Sequence, residues 1–207
     1  MTAILKVDTI QDTSGNNIIN ENANTITIGA SGDTTNIIGT LQNNGSALAT
    51  TNGITMADNW RVQSSFTANQ GQSFITANWE RNDNTGTGFI GTAMSESSGV
   101  FTFPSTGIYL IETGLYVVRH SSNSNYIGVI INTTTDNSSY SEMASTYNHV
   151  ENISSQHSCV FTNYIFDVTN TSTHKFKLEF ECDNEVTVVG DNNKDRLFVR
   201  FIRLGDT

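Results

Sequence analysis

Proline, cysteine and basic residues are all scarce in this chain of 207 residues, and each scarcity removes a class of protein. There is one proline, Pro104, and there are two cysteines, Cys159 and Cys182. Two thiols are too few for a disulfide scaffold or a four-thiolate metal centre. Ten Lys and Arg stand against 20 Asp and Glu, for a net charge of −10. Phosphate binding needs clustered cations, so no nucleic-acid partner is expected. No apolar run approaches the roughly 18 residues of a membrane-spanning helix, so membrane insertion is not expected either. The opening "MTAILKVDTI" has one lysine, placed after its short apolar piece, and no small-residue cleavage site. It does not read as a signal peptide, and synthesis in a cytoplasm is expected.

What fills the chain instead is uncharged polarity. Asn, Thr and Ser together occupy 75 of the 207 positions, whereas charged residues make up 14%. Such side chains bond locally to the backbone and favour turns, and Thr also suits strands. The composition predicts short strands joined by polar corners, with almost no helix.

The chain has two textures. Residues 1–56 hold no aromatic residue but carry aliphatic pulses, "AILKV", "NNIIN", "NTITIGA", "TNIIGT" and "GSALA", separated by "DTSGNN", "ENAN", "SGDT" and "QNNG". The spacers are turn chemistry, because Gly and Asn tolerate positive φ. Strands this short cannot close a core alone, but they become stable if identical chains share an interior; a linker is the alternative reading, which the repeated Ile pairs oppose. Residues 57–207 hold every Trp, Phe and Tyr. Runs such as "NWRVQSSFT", "GFIGT", "GVFTF", "GIYLIETGLYVVRH", "NYIGVIINT", "KFKLEFEC" and "RLFVRFIRL" predict an antiparallel β-sandwich. The expected organisation is therefore an N-terminal β-stalk, residues 1–56, and a sandwich head, residues 57–207.

In "HKFKLEFEC" the period of two puts Phe176, Leu178, Phe180 and Cys182 on one face and Lys175, Lys177, Glu179 and Glu181 on the other. Cys182 therefore reads as a small buried hydrophobe. Glu179 and Glu181 read as part of a solvated, charge-balanced face and not as an acid/base pair.

The lone proline marks a motif. In "FTFPSTGIY", Pro104 cannot donate to a ladder and ends the run carrying Phe101 and Phe103, and Gly107 admits a reversal into the strand that holds Tyr109. Phe101, Phe103, Pro104, Gly107 and Tyr109 resemble the pattern of the globular head of the complement first-component q subunit and of related tumour-necrosis-factor-like jelly rolls. The final "RLFVRFIRL" resembles the closing strand of that family. The resemblance covers about residues 57–207 and implies an all-β, ten-stranded antiparallel jelly roll that assembles as a homotrimer and binds rather than catalyses. Residues 1–56 resemble the openings of fibre and appendage proteins of tailed phages, especially marine ones. Together the two resemblances imply a virion location, with residues 1–56 attached to other virion proteins and the head touching a host surface glycan or protein. A capsid decoration protein, a free lectin-like protein and a depolymerase are the competing readings.

Candidate chemistry is thin. Asp191, Asn193 and Asp195 are spaced as a calcium loop begins, but Arg196 replaces the turn glycine and Ile202 the bidentate glutamate. A hairpin is the simpler reading, with calcium as the weaker one. The histidines at 120, 149, 157 and 174 lack metal spacing, and no nucleophile elbow or phosphate loop occurs, so neither a cofactor nor catalysis is expected. Residues 120–125 and 133–155 are polar, and the second stretch carries Tyr140, Tyr147 and His149. They read either as recognition loops or as a strand with tyrosines at a subunit interface, and no receptor residue is assigned from sequence.

Overall fold

A computed structural model describes residues 53–207 continuously, and before them residues 9–11, 13–15, 17–22, 25–28, 32, 34, 35, 38, 42, 43, 46 and 47. The chain divides into two compact units, Met1–Asn52 and Gly53–Thr207. Among the described residues there is no helix, and so none long and apolar enough to cross a membrane.

In the first unit, β1 (Thr9–Gln11), β2 (Asn17–Asn22) and β3 (Thr25–Ile28) form an antiparallel meander, and β4 (Gln42–Asn43) pairs with β5 (Ser46–Ala47). Register brings Ile10 opposite Ile19 and Ile19 opposite Ile28. The three isoleucines thus form one row across the meander, and all three are exposed. The pulse "AILKV" and most of "TNIIGT" lie outside the described residues.

The second unit is a sandwich of two antiparallel sheets, which is the fold class the strand pattern predicts. One sheet has the order β10 (Ser95–Ser97), β11 (Val100–Thr102), β16 (Lys175–Cys182), β13 (Ser124–Thr134), β14 (Ser141–Val150). The strand β8 (Gly71–Phe74) pairs with the same side of β16, beyond β11. The other sheet has β12 (Gly107–Arg119) at its centre, with β15 (His157–Val168) along one side. On its other side lie β18 (Phe198–Gly205) and then β17 (Val186–Asp191). That sheet continues from β18 to β6 (Ala57–Val62) and β9 (Trp79–Arg81), and from β17 to β7 (Ser64–Ala68). These segments are shorter and more numerous than the ten strands the resemblance implies, because long runs are broken by bends: "NWRVQSSFT" becomes β6 and β7. The run "GFIGT" forms only a bridge from Ile90 to Ala57.

Aromatic rings from both sheets meet in the middle. The ring of Phe101 lies 5.5 Å from Trp60, 5.1 Å from Trp79, 5.6 Å from Phe176 and 5.3 Å from Phe201, two of them edge-on. Edge and tilted pairs of this kind add to the stabilisation from burial alone. Met56 is buried in this core and its carbonyl accepts from Arg203 N at 2.9 Å. The head therefore begins slightly before residue 57.

Candidate functional site

The Pro104 corner is a crossing between sheets and not a hairpin reversal within one. β11 belongs to one sheet and β12 to the other, so the chain changes layers between Phe103 and Gly107. Phe103 packs 4.8 Å from Tyr109 and 5.7 Å from Phe166, and Phe101 is wholly buried. The Tyr109 hydroxyl donates to Ser105 O at 2.9 Å, which spans the corner. Gly107 has φ of 145°, and a Cβ there would lie 2.4 Å from Arg203 Nε and 2.6 Å from Gly205 O. Five motif residues thus build the crossing and its hydrophobic floor, and Pro104 also lines a small open concavity with Met56 and Arg203.

The outward face of the β12 sheet is the most unusual surface of the head. Leu110 pairs with Ile165 on one side and Ile202 on the other. Two residues on, Glu112 lies between Asn163 and Arg200, and two further on, Gly114 lies between Phe161 and Phe198. The two phenylalanine rings close over Gly114, where a Cβ would lie 2.6 Å from each. Phe161 is 61% exposed and Ile165 57%, beside half-exposed Leu204. At the far end Tyr116 stacks on His157 with ring centroids 5.3 Å apart, and its hydroxyl is 2.7 Å from His157 Nδ1. One sheet face therefore presents apolar rows flanking a single polar row. β12 is apolar at successive positions in "GIYLI", the pattern of a strand covered on both faces, and that was the available sequence signal.

The polar stretch at residues 133–155 proves to be mainly a strand, β14, together with its turns. Tyr140 sits 6.2 Å from Phe74, and Lys177 Nζ lies 4.3 Å from the Tyr140 ring and 4.8 Å from that of Phe74. Tyr147 donates to Glu181 Oε2 at 2.8 Å, and burial together with that bond pushes its hydroxyl up to about 12. His149 and residues 123–125 line a separate shallow concavity.

The charged face of β16 is less solvated than its alternation predicts. β16 is an interior strand, with β13 on one side and β8 and β11 on the other, so neighbouring side chains cover it. Glu179 and Lys175 are each 9% exposed. Glu179 accepts from Asn132 Nδ2 at 2.8 Å, and burial raises its carboxyl above the ordinary range. The opposite face behaves as expected: Cys182 is fully buried and unpaired, with its thiol pushed up to about 11 by burial.

At the candidate calcium loop both carboxylates accept hydrogen bonds from protein donors. Asp195 accepts from Asn59 Nδ2 and Asn82 Nδ2, both at 2.8 Å, and from Arg200 at 3.2 Å. Asp191 accepts from Asn193 N at 2.8 Å. Asp195 thus ties β6 and β18 to the segment after β9, while Asp191 shapes its own turn. The histidines are dispersed: His120 meets Thr187, His157 meets Tyr116 and His174 lies between Thr169 and Thr173. Among the described residues, no three His, Cys, Asp or Glu side chains group as a metal site.

Comparison with known proteins places the fold. No protein-family model matches the chain, and no curated protein matches it by sequence. Solved structures do match. Eiger TNF from S. frugiperda is 11% identical, with 75% of this chain and 96% of that one covered at a TM-score of 0.54. Murine APRIL is 10% identical, with 72% and 98% covered at 0.51. Identity this low carries fold alone: the chain contains a tumour-necrosis-factor-like jelly roll.

Proposed function

We propose that the chain is a structural protein of a tailed-phage virion, a homotrimeric fibre or spike. In this reading residues 1–56 attach the trimer to other virion proteins, and the jelly roll projects to bind a host surface glycan or protein. It acts by binding, and catalysis has no part in it. The observation that carries the reading is the pair of uncovered apolar faces, one in each unit. The Ile10, Ile19 and Ile28 row and the Phe161 and Ile165 positions of β15 both expose β-branched or aromatic side chains in strand positions. Monomers rarely expose contiguous apolar surface of this sort, and copies of the same chain are the partner that accounts for both faces at once. Threefold symmetry is what the jelly-roll resemblance implies, and the phage context is what the texture of residues 1–56 implies.

Two measurements test it. Light scattering is expected to give three times the monomer mass for the full chain; a monomer overturns the fibre. Electron microscopy of particles decorated with an antibody against the head is expected to label projections. Labelling spread over the capsid lattice would instead make it a decoration protein.

A further inference from the structure

We propose that the open edge of the sandwich between β7 and β8 is a binding site for a neutral saccharide. This rests on the reading of the head as a host-contacting module and gives that contact a place. Where the chain passes from β7 of one sheet to β8 of the other, a concavity of about 410 Å³ opens. That volume lies within the range of small-ligand sites, about 300–1,000 Å³. Its floor is formed by Phe66 and Phe180, whose ring centroids are 6.0 Å apart and which come from opposite sheets.

The rim is made of side-chain amides. Asn69, Gln70 and Asn78 line the concavity, with the Ser73 and Thr76 hydroxyls between them; Gln72 pairs with Glu181, so its side chain lies on the other face of the sheet from Phe180. Among the described residues none of these three amide groups is hydrogen-bonded within the chain. Each amide offers two donors and an acceptor, the combination that matches vicinal hydroxyls. No charged side chain lines the site, although the chain as a whole carries −10. An uncharged rim on an acidic protein does not hold an anionic glycan, and amides over aromatic rings suit a sugar with one polar edge and one apolar face.

The far wall is irregular but held. Ile75 N donates to Leu178 O at 2.9 Å, Trp79 Nε1 donates to Ile75 O at 2.8 Å, and Gln63 N donates to Asn78 O at 3.0 Å. Asn78 has φ of 63°, a left-handed conformation uncommon for a residue with a side chain. Gly99 presses on this wall from behind, where a Cβ would lie 2.4 Å from Ile75 O. A non-strand segment tethered at three backbone positions keeps its shape without a ligand, which lowers the ordering cost of binding.

The test uses the full chain and saturation-transfer NMR with a panel of neutral saccharides: glucose, galactose, mannose, rhamnose and N-acetylglucosamine, each as monomer and short oligomer. A sialylated oligosaccharide serves as the charged control. Transfer to at least one neutral sugar is expected, weakened about tenfold or more by the double variant Asn69→Ala, Gln70→Ala, since two hydrogen bonds are removed. Both residues are exposed, and an unchanged thermal midpoint shows that the variant remains folded. Asn125→Ala, in the other concavity, is expected to change nothing. Absence of transfer to every neutral sugar, equal transfer from the double variant, or transfer to the sialylated control alone overturns the site. Host-cell adhesion by labelled protein separates the two readings: adhesion retained by the double variant removes this site and leaves host contact standing, whereas a wild-type chain that never adheres removes host contact itself.

Discussion

The Tyr109 hydroxyl donates to the carbonyl of Ser105 at 2.9 Å, joining the start of β12 to the corner that brought the chain from the other sheet. Tyr109 is fully buried and packs on Phe103, so this bond fixes the angle at which the layers connect. Tyr109→Phe removes the donor and leaves the ring, and a loss of about 1–2 kcal/mol is expected. Gly107→Ala is expected to be worse, at about 2–4 kcal/mol, because the conformation and the Arg203 and Gly205 contacts both oppose a Cβ. Urea unfolding of both variants checks the order; equal stability of Gly107→Ala and wild type would refute the close approach.

Phe161 is an outward residue on β15, so its replacement by a charge leaves the core untouched. Phe161→Glu is expected to convert the proposed trimer to monomers by light scattering while the circular dichroism spectrum is retained. If the proposed trimer covers this face, the charge would have to be desolvated there, at a penalty of several kcal/mol. An unchanged mass would place the association elsewhere.

Asp195 is the hub of a hydrogen-bonded tie among Asn59, Asn82 and Arg200. Asp195→Ala leaves these part-buried donors without their acceptor and is expected to cost about 1–3 kcal/mol. Because its oxygens are already engaged, added calcium is expected to leave the melting temperature of the wild type unchanged. A calcium-dependent rise that Asp195→Ala abolishes would restore the metal reading.

Asp136 caps the turn before β14. Its Oδ1 accepts from the Ser138 and Ser139 backbone N–H groups, both at 2.8 Å, and from Thr134 Oγ1 at 2.7 Å. These bonds hold its carboxyl well below the ordinary value of 3.8. A depressed carboxylate adds stability that is complete above the ordinary value and disappears as pH falls through the folded-state value. Asp136→Ala is therefore expected to lower the urea midpoint at neutral pH, by a difference that narrows below about pH 3.8. A difference constant across that range would show that the cap acts without its charge.

Much of the head was legible in one dimension because strands have a period of two. The alternation in residues 175–182 separates the buried Phe176, Leu178, Phe180 and Cys182 from the charged set, and the Phe101 to Tyr109 motif names the residues that meet at the core's centre. What alternation cannot state is which strands become neighbours. The same charged set contains Glu179, which is buried because β13 and β8 happen to flank β16, and Asn132 reaches it from 47 positions away. The Pro104 corner reads locally as a turn, and only pairing partners reveal it as a crossing between layers.

Composition and periodicity by themselves determined an all-β chain with an aromatic core and an aliphatic leading segment, since those properties depend on each residue and its near neighbours. The tertiary structure alone decided the surfaces. Phe161 meets Phe198 over Gly114, and Gln70 shares a concavity with Asn78, because long-range register and sheet order set these contacts, and neither is encoded in local spacing.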